Sequence, residues 1–167
     1  MVDYLISPAQ ISPSEEKEAS DVAIQIAQNL GIVGILAVEM FLTKDGNILV
    51  NEIAPRPHNS GHHTIKANVT SQYEQHWRAV LGLPLGSTAS HKLSAMVNIL
   101  GSKGYQGRAI YVGLQEALKQ EGVHLHLYGK KRTKPSRKMG HIIILDHDLA
   151  SLQHKVQLVK ETIHVIA

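Results

Sequence analysis

Glu39 and Glu52 are the first residues of this sequence whose type and spacing ask for a chemical explanation. They sit in two apolar, strand-like runs, Ile35 to Leu42 and Ile48 to Ile53, joined by Lys44-Asp45-Gly46-Asn47. Asp-Gly between such runs signals a hairpin. With Asp45-Gly46 as a two-residue turn, Lys44 pairs with Asn47, Phe41 with Val50, and Glu39 with Glu52. Both carboxylates then face the same side of the sheet. At about 5 Å and an effective dielectric of about 20, their repulsion is roughly 3 kcal/mol. Water, a shared proton or a bound cation relieves it. Hard oxygen donors on a rigid strand pair, with no cysteine and no adjacent histidine, suit Mg²⁺ rather than zinc. Mg²⁺ takes one or two protein carboxylates and leaves its other positions to water and phosphate, so the implied ligand is a nucleotide. The competing reading is a solvated pair of glutamates on an exposed sheet face.

Two further stretches carry polar chemistry. In Asn51-Glu52-Ile53-Ala54-Pro55-Arg56-Pro57-His58-Asn59-Ser60-Gly61-His62-His63-Thr64, proline on both sides of Arg56 restricts the backbone and aims one guanidinium. His58, Asn59, Ser60 and His62 add short polar groups, and Gly61 permits close approach of backbone to a ligand. Beside a metal-bound phosphate, such a set suits a small planar anion; alone, it reads equally as a rigid turn satisfied internally. His62-His63 raises zinc, but adjacent side chains point in different directions. The second stretch, Lys130 to Lys138, holds six cations in nine residues. Only Tyr128 adjoins it as an aromatic, which argues against a stacking platform for nucleic acid and for a local phosphate. Gly101 to Gly107 lacks Walker or Rossmann spacing, and His124 and His126 share one strand face as ordinary sheet residues.

The elements that must position these groups follow from local signals. Ser12-Pro13-Ser14-Glu15 is a capping box opening a helix whose inner face is Ala19, Val22, Ala23, Ile26, Ala27 and Leu30, ended by Gly31. Ser71 and Glu74 form a second box, before the stripe Tyr73, His76, Trp77, Val80 and Leu81. Gly82 and Pro84 stop that helix, and residues 85–90 read as a linker. Beyond it come strands at Leu93 to Leu100, Val123 to Tyr128 and His141 to Leu145, and a short helix near Leu114 to Gln120. A last helix has Asp148 as N-cap. Two modules are expected, 1–90 and 91–167.

Composition narrows the class. The 167 residues, 43% apolar and 19% charged, can bury a core. There is no cysteine, which removes disulfides and thiolate sites and is compatible with a reducing cytoplasm. No apolar run is long enough for a membrane span. The net charge of +3 is unevenly spread: residues 1–100 hold 6 Lys/Arg against 9 Asp/Glu, residues 101–167 hold 11 against 5. That favours a local anion over an extended polyanion.

The order Glu39, then Asn51-Glu52, resembles the metal-binding acidic residues of the ATP-grasp superfamily. The loop Asn51 to Thr64, with Val38-Glu39-Met40-Phe41, Leu5-Ile6-Ser7-Pro8-Ala9 and Arg137-Lys138-Met139-Gly140-His141, resembles the N5-carboxyaminoimidazole ribonucleotide synthetase family, the ATPase subunit of phosphoribosylaminoimidazole carboxylase. The resemblance runs over essentially the whole chain but only to the C-terminal part of family members. It implies an α+β fold: a C-terminal ATP-grasp subdomain with an antiparallel sheet and helices, then a small β-rich domain closed by a C-terminal helix. It implies ATP and Mg²⁺ as cofactors, with Glu39 and Glu52 on the metal and Asn51 and Glu52 on the nucleotide. Arg56, His58 and Asn59 would be catalytic, and Lys130 and Arg137 would hold the 5′-phosphate of aminoimidazole ribonucleotide. The implied reaction joins bicarbonate to that ribonucleotide through carboxyphosphate, in a homodimer, with no nucleic-acid or membrane partner. The family's N-terminal half is absent before Asp3, so this piece by itself is expected to be inactive or very weak. A non-catalytic phosphate- or nucleotide-binding module, or another ATP-grasp carboxylase-like ligase, remains the alternative.

Overall fold

Ser12 and Glu15 satisfy each other in both directions. Ser12 Oγ accepts from the Glu15 N–H at 3.3 Å, and the Glu15 carboxylate accepts from the Ser12 N–H at 2.7 Å. The structure, a computed structural model describing residues 3–167, shows what such local signals build. In chain order the elements are β1 (Tyr4–Ser7), α1 (Pro13–Asn29), β2 (Ala37–Leu42), β3 (Ile48–Ala54), a 3₁₀ turn (Asn59–Gly61), α2 (Thr64–Ala67) and α3 (Gln72–Val80). Then follow β4 (Leu93–Leu100), β5 (Gly107–Arg108), β6 (Ile110–Val112), α4 (Leu114–Leu118), β7 (Val123–Leu127), β8 (Arg132–Thr133), β9 (Lys138–Asp146), α5 (Leu149–Thr162) and β10 (His164–Ile166). The fold class is α+β, with antiparallel ladders. No helix among the described residues is long and apolar enough to cross a membrane.

The chain divides into two compact units, Ala9–Ala89 and Ser90–Ala167, the latter also taking the residues up to Pro8. In this division the first strand, expected within the 1–90 module, groups with the second unit. β1 adds to the edge of β4, Tyr4 opposite Val97 and Ser7 opposite Ser94. Pairing across some ninety residues leaves no local trace in a four-residue run, which is why the sequence does not reveal it.

In the larger unit the sheet order is β1-β4-β9-β7, antiparallel throughout. One face, carrying Ala95, Val97, Ile99, Ile142 and Ile144, packs on Leu152, Val156 and Val159 of α5. Strict alternation supplies that face, since residues two apart on a strand point the same way. Asp148 caps α5, its carboxylate accepting from the Ser151 N–H at 2.7 Å. The unit does not end on that helix: β10 follows and pairs with β6. Lys155 of α5 and Asp146 at the end of β9 form a largely buried ion pair at 2.8 Å.

The unit Ala9–Ala89 is organised differently. Of the predicted inner positions of α1, Ala19, Val22, Ala23, Ile26 and Ala27 are half-buried and Leu30 is exposed, and no residue of the helix is fully buried. On α3 most of the predicted stripe faces solvent, Trp77 being 63% exposed, while His76 is half-buried and its Nδ1 accepts from the Ile35 N–H at 3.1 Å. The second capping box is half-formed: Ser71 Oγ accepts from the Glu74 N–H, but the Glu74 carboxylate binds Arg78 instead.

Candidate active site

The hairpin β2–β3 does place Glu39 opposite Glu52, by an unexpected route. Thr43 and Asn47 close the loop, the Thr43 N–H donating to the Asn47 carbonyl at 2.9 Å, so the loop has three residues with Gly46 at φ +81°. That shifts the outer pairs: Met40 faces Val50, Phe41 faces Leu49 and Leu42 faces Ile48, not the pairs a two-residue turn would give. A β-bulge between Glu39 and Met40 then leaves Asn51 as the extra residue and restores the register at Glu39–Glu52. Bulges re-aim side chains. Here the Asn51 amide is turned to Glu39, its Nδ2 lying 3.5 Å from Oε2.

The third member of the cluster comes from the loop. His58 Nε2 lies 3.6 Å from Glu39 Oε1, with the histidine side chain 14% and the glutamate 34% exposed. Ligand atoms of Glu39, Glu52 and His58 all lie within 4.8 Å of one another, the one such group among the described residues. The reading of a carboxylate pair without a neighbouring histidine is therefore corrected. The ring's orientation decides its role. Nδ1 accepts from the Ser60 N–H and lies 2.8 Å from Ser60 Oγ, so the neutral ring carries its proton on Nε2, facing Glu39. In that tautomer His58 is a donor beside the carboxylates, and the oxygen atoms alone are left to hold a cation. The donor set fits a hard divalent ion such as Mg²⁺.

What holds His58 in place is Gln72, a residue the sequence analysis does not single out. Its Oε1 accepts from the His58 N–H and its Nε2 donates to the His58 carbonyl, both at 2.8 Å. The Gln72 N–H in turn donates to Thr64 Oγ1, and the Thr64 hydroxyl to the Gly61 carbonyl. A Cβ on Gly61 would stand 2.5 Å from Gln72 Oε1. The close approach expected of Gly61 is thus to this amide and not to a ligand. No pattern in the sequence marks Gln72, because its partner is a backbone fourteen residues away.

The remaining loop residues take separate positions. Arg56 is exposed, its backbone turned by a hydrogen bond to the Ala54 carbonyl and its Nη1 donating to the Pro57 carbonyl at 3.1 Å. Asn59 opens the 3₁₀ turn, its carbonyl accepting from the His62 N–H. His62 Nδ1 meets both Gln72 Nε2 and the Tyr73 hydroxyl. His63 Nδ1 lies 2.9 Å from the Ser60 carbonyl, and burial holds its pKa below the usual histidine value.

Lys130 and Arg137 belong to the other unit. Lys130 Nζ donates to the Lys138 carbonyl at 2.5 Å and stands over the Tyr128 ring. Arg137 Nη1 donates to the Arg132 carbonyl at 3.1 Å. Each cation is oriented by a backbone oxygen on its own segment.

Comparison with known proteins matches two parts of the chain separately. Residues 1–73 match the ATP-grasp domain family, and residues 94–155 match the phosphoribosylaminoimidazole carboxylase C-terminal domain. N5-carboxyaminoimidazole ribonucleotide synthase of Bacillus subtilis is 49% identical over 140 residues, covering 84% of this chain and 35% of that protein. The crystal structure of N5-carboxyaminoimidazole ribonucleotide synthetase from Thermotoga maritima superposes with a TM-score of 0.97 at 51% identity, covering 100% of this chain and 46% of that one. N5-carboxyaminoimidazole synthase from Aspergillus clavatus, in complex with ADP and 5-aminoimidazole ribonucleotide, gives a TM-score of 0.86 at 31% identity, covering 96% and 43%. The chain spans less than half the length of each. It belongs to the N5-carboxyaminoimidazole ribonucleotide synthetase family of ATP-grasp proteins and corresponds to their C-terminal part.

Proposed function

We propose that this chain supplies the carboxylate and phosphate-gripping groups of an ATP-dependent ligase that carboxylates 5-aminoimidazole ribonucleotide with bicarbonate. The product is N5-carboxyaminoimidazole ribonucleotide, formed by way of carboxyphosphate. The observation that carries this reading is the bulged hairpin, where Glu39, Asn51, Glu52 and His58 converge. Glu39 and Glu52 would hold Mg²⁺, with Asn51 keeping the Glu39 carboxylate turned and, with Glu52, facing the nucleotide. Bound there, the ion supplies positive charge to nucleotide phosphates. His58 presents Nε2–H, Asn59 adds an amide, and the exposed Arg56 guanidinium supplies charge where phosphoryl negative charge develops. Lys130 and Arg137 grip the ribonucleotide 5′-phosphate, and the functional unit is a homodimer.

The test uses the relatives' extra length. Mixed with the separately produced preceding segment of the Thermotoga maritima relative, the chain is expected to release phosphate from ATP only when bicarbonate and the ribonucleotide are both present. By itself it is expected to turn over little or nothing, and turnover near that of an intact synthetase would overturn that expectation. A folded mixture that stays inactive while the chain still binds the ribonucleotide would instead favour a non-catalytic binding module. Failure to bind the ribonucleotide, where the intact relative binds it, would point to another acceptor.

A further inference from the structure

We infer that Tyr128 is a positioning residue whose ring holds the Lys130 ammonium ready for a phosphate, and that buried His141 holds Tyr128 in turn. The inference rests on the reading that Lys130 grips the ribonucleotide phosphate. Its basis is a chain of contacts from the sheet interior to the cation. His141 of β9 is 3% exposed and lies directly opposite His126 of β7. The two imidazoles stack at 4.6 Å with 5° between their planes. Its Nδ1 lies 3.0 Å from the Tyr128 hydroxyl.

Tyr128 is also held at its other end. Its N–H donates to the Met139 carbonyl at 3.0 Å, one residue beyond the last residue of β7. A phenol fixed at both its backbone and its hydroxyl is a rigid plate, although 37% of the residue is exposed. Gly129 follows with φ +67°, a left-handed turn between Tyr128 and Lys130 that glycine adopts freely. Lys130 Nζ then stands 5.4 Å from the ring centroid, within the range at which an ammonium is drawn to an aromatic face.

A free lysine side chain carries about 2 kcal/mol of rotamer entropy, which a bound anion must overcome. Lys130 has already lost part of that freedom. One of its three N–H donors is committed to the Lys138 carbonyl, and the other two remain to bind an anion. Arg137 is steadied by a carbonyl of its own segment, whereas Lys130 has both a carbonyl and an aromatic support.

The experiment measures binding of ribose 5-phosphate to the intact 167-residue chain by calorimetry, alongside the proton shifts of the Lys130 ε-methylene. In the unmodified chain and in Tyr128→Phe these protons should show an upfield ring-current displacement, lost in Tyr128→Leu. Tyr128→Leu is expected to weaken binding about three- to tenfold and Tyr128→Phe about twofold or less, since the ring remains. In a Lys130→Ala background, Tyr128→Leu should add nothing, because its effect passes through the lysine. An equal loss in both backgrounds would assign Tyr128 a purely structural role, and unchanged affinity in Tyr128→Leu would overturn the inference. Absence of the ring-current displacement in the unmodified chain would also overturn it. The underlying reading fails separately: it falls if the unmodified chain does not bind ribose 5-phosphate, or if Lys130→Ala and Arg137→Ala both bind as it does.

Discussion

The two compact units differ most in what lies inside them. The unit of Ser90–Ala167 and β1 buries a continuous apolar layer between one sheet face and α5. Among the described residues only Ala54 and Ala67 of the fully buried apolar side chains belong to the unit Ala9–Ala89. That unit shows Ile24, Leu30, Phe41, Leu49, Val50 and Trp77 to solvent. It is ordered by hydrogen bonds: a full capping box at Ser12, a half box at Ser71, and the Gln72 clamp on His58. Such bonds fix geometry well, yet each contributes only about 1 kcal/mol net. The carboxylate site thus sits on the part with the weaker interior, a pattern expected where functional groups are drawn from regions of low local stability.

The largest difference between the units is expected at the carboxylates. In the reconstituted mixture, Glu52→Gln is expected to lower phosphate release by about a hundredfold or more, from loss of charge stabilisation. Its melting temperature should stay level or rise, since repulsion between two neighbouring carboxylates is relieved in the empty pair. A large loss of stability would make Glu52 a structural residue. In the other unit the expectation reverses. Leu152→Ala, at a fully buried position, should destabilise by about 3 kcal/mol in a denaturant titration. Hydrogen exchange on that variant should accelerate in β4 and β9 and leave the hairpin amides unchanged; equal acceleration in both units would show them unfolding as one.

Two smaller effects sharpen the contrast. Gln72→Leu leaves the His58 N–H and carbonyl without their amide partner, and is expected to cost about 2 kcal/mol and to raise the Mg²⁺ requirement of the mixture. An unchanged Mg²⁺ dependence would separate the clamp from the site. Asp146 gives the smallest change and a pH signature. Lys155 first, then Ser151, hold its folded pKa well below the carboxylate range. A depressed pKa contributes stability that is complete above the unfolded value of about 4 and is lost as pH falls through the folded value. Asp146→Asn should therefore cost roughly 1–2 kcal/mol at pH 7, with the gap to the unmodified chain narrowing progressively as pH falls below about 4. A gap that persists unchanged at pH 2 would mean that the ion pair is not its source.

Local rules made much of this molecule legible. Ser12 with Glu15, Gly31 as a helix stop, Asp148 as N-cap and the run Leu93–Leu100 all depend on neighbours within a few residues, and each appears where its chemistry requires. Long-range pairings were not legible. β1 joins a strand ninety residues away, β10 returns to β6, and Gln72 reaches back to His58. The predicted faces of α1 and α3 follow a sound helical period, but periodicity says which side is apolar and not whether anything covers it. His126 reads, with His124, as an ordinary sheet residue, because its stacking on His141 depends on the register of β7 against β9. The two-residue turn that predicts the opposed glutamates does not form. A three-residue loop moves the register by one and the bulge moves it back.

That compensation has a consequence for how hairpins of this kind tolerate insertions and deletions. Removing a residue from mid-strand ordinarily inverts every side chain beyond it. Removing Asn51 would not, because Met40 already faces Val50 and Glu39 already faces Glu52, with Asn51 the surplus between them. The ladder would close into a regular one, and only the amide beside Glu39 would be lost. The number of residues from the turn to the second carboxylate is therefore free to vary by one, while the carboxylates stay opposed. A search that demands fixed spacing between Gly46 and Glu52 would pass over chains that build the same pair of charges.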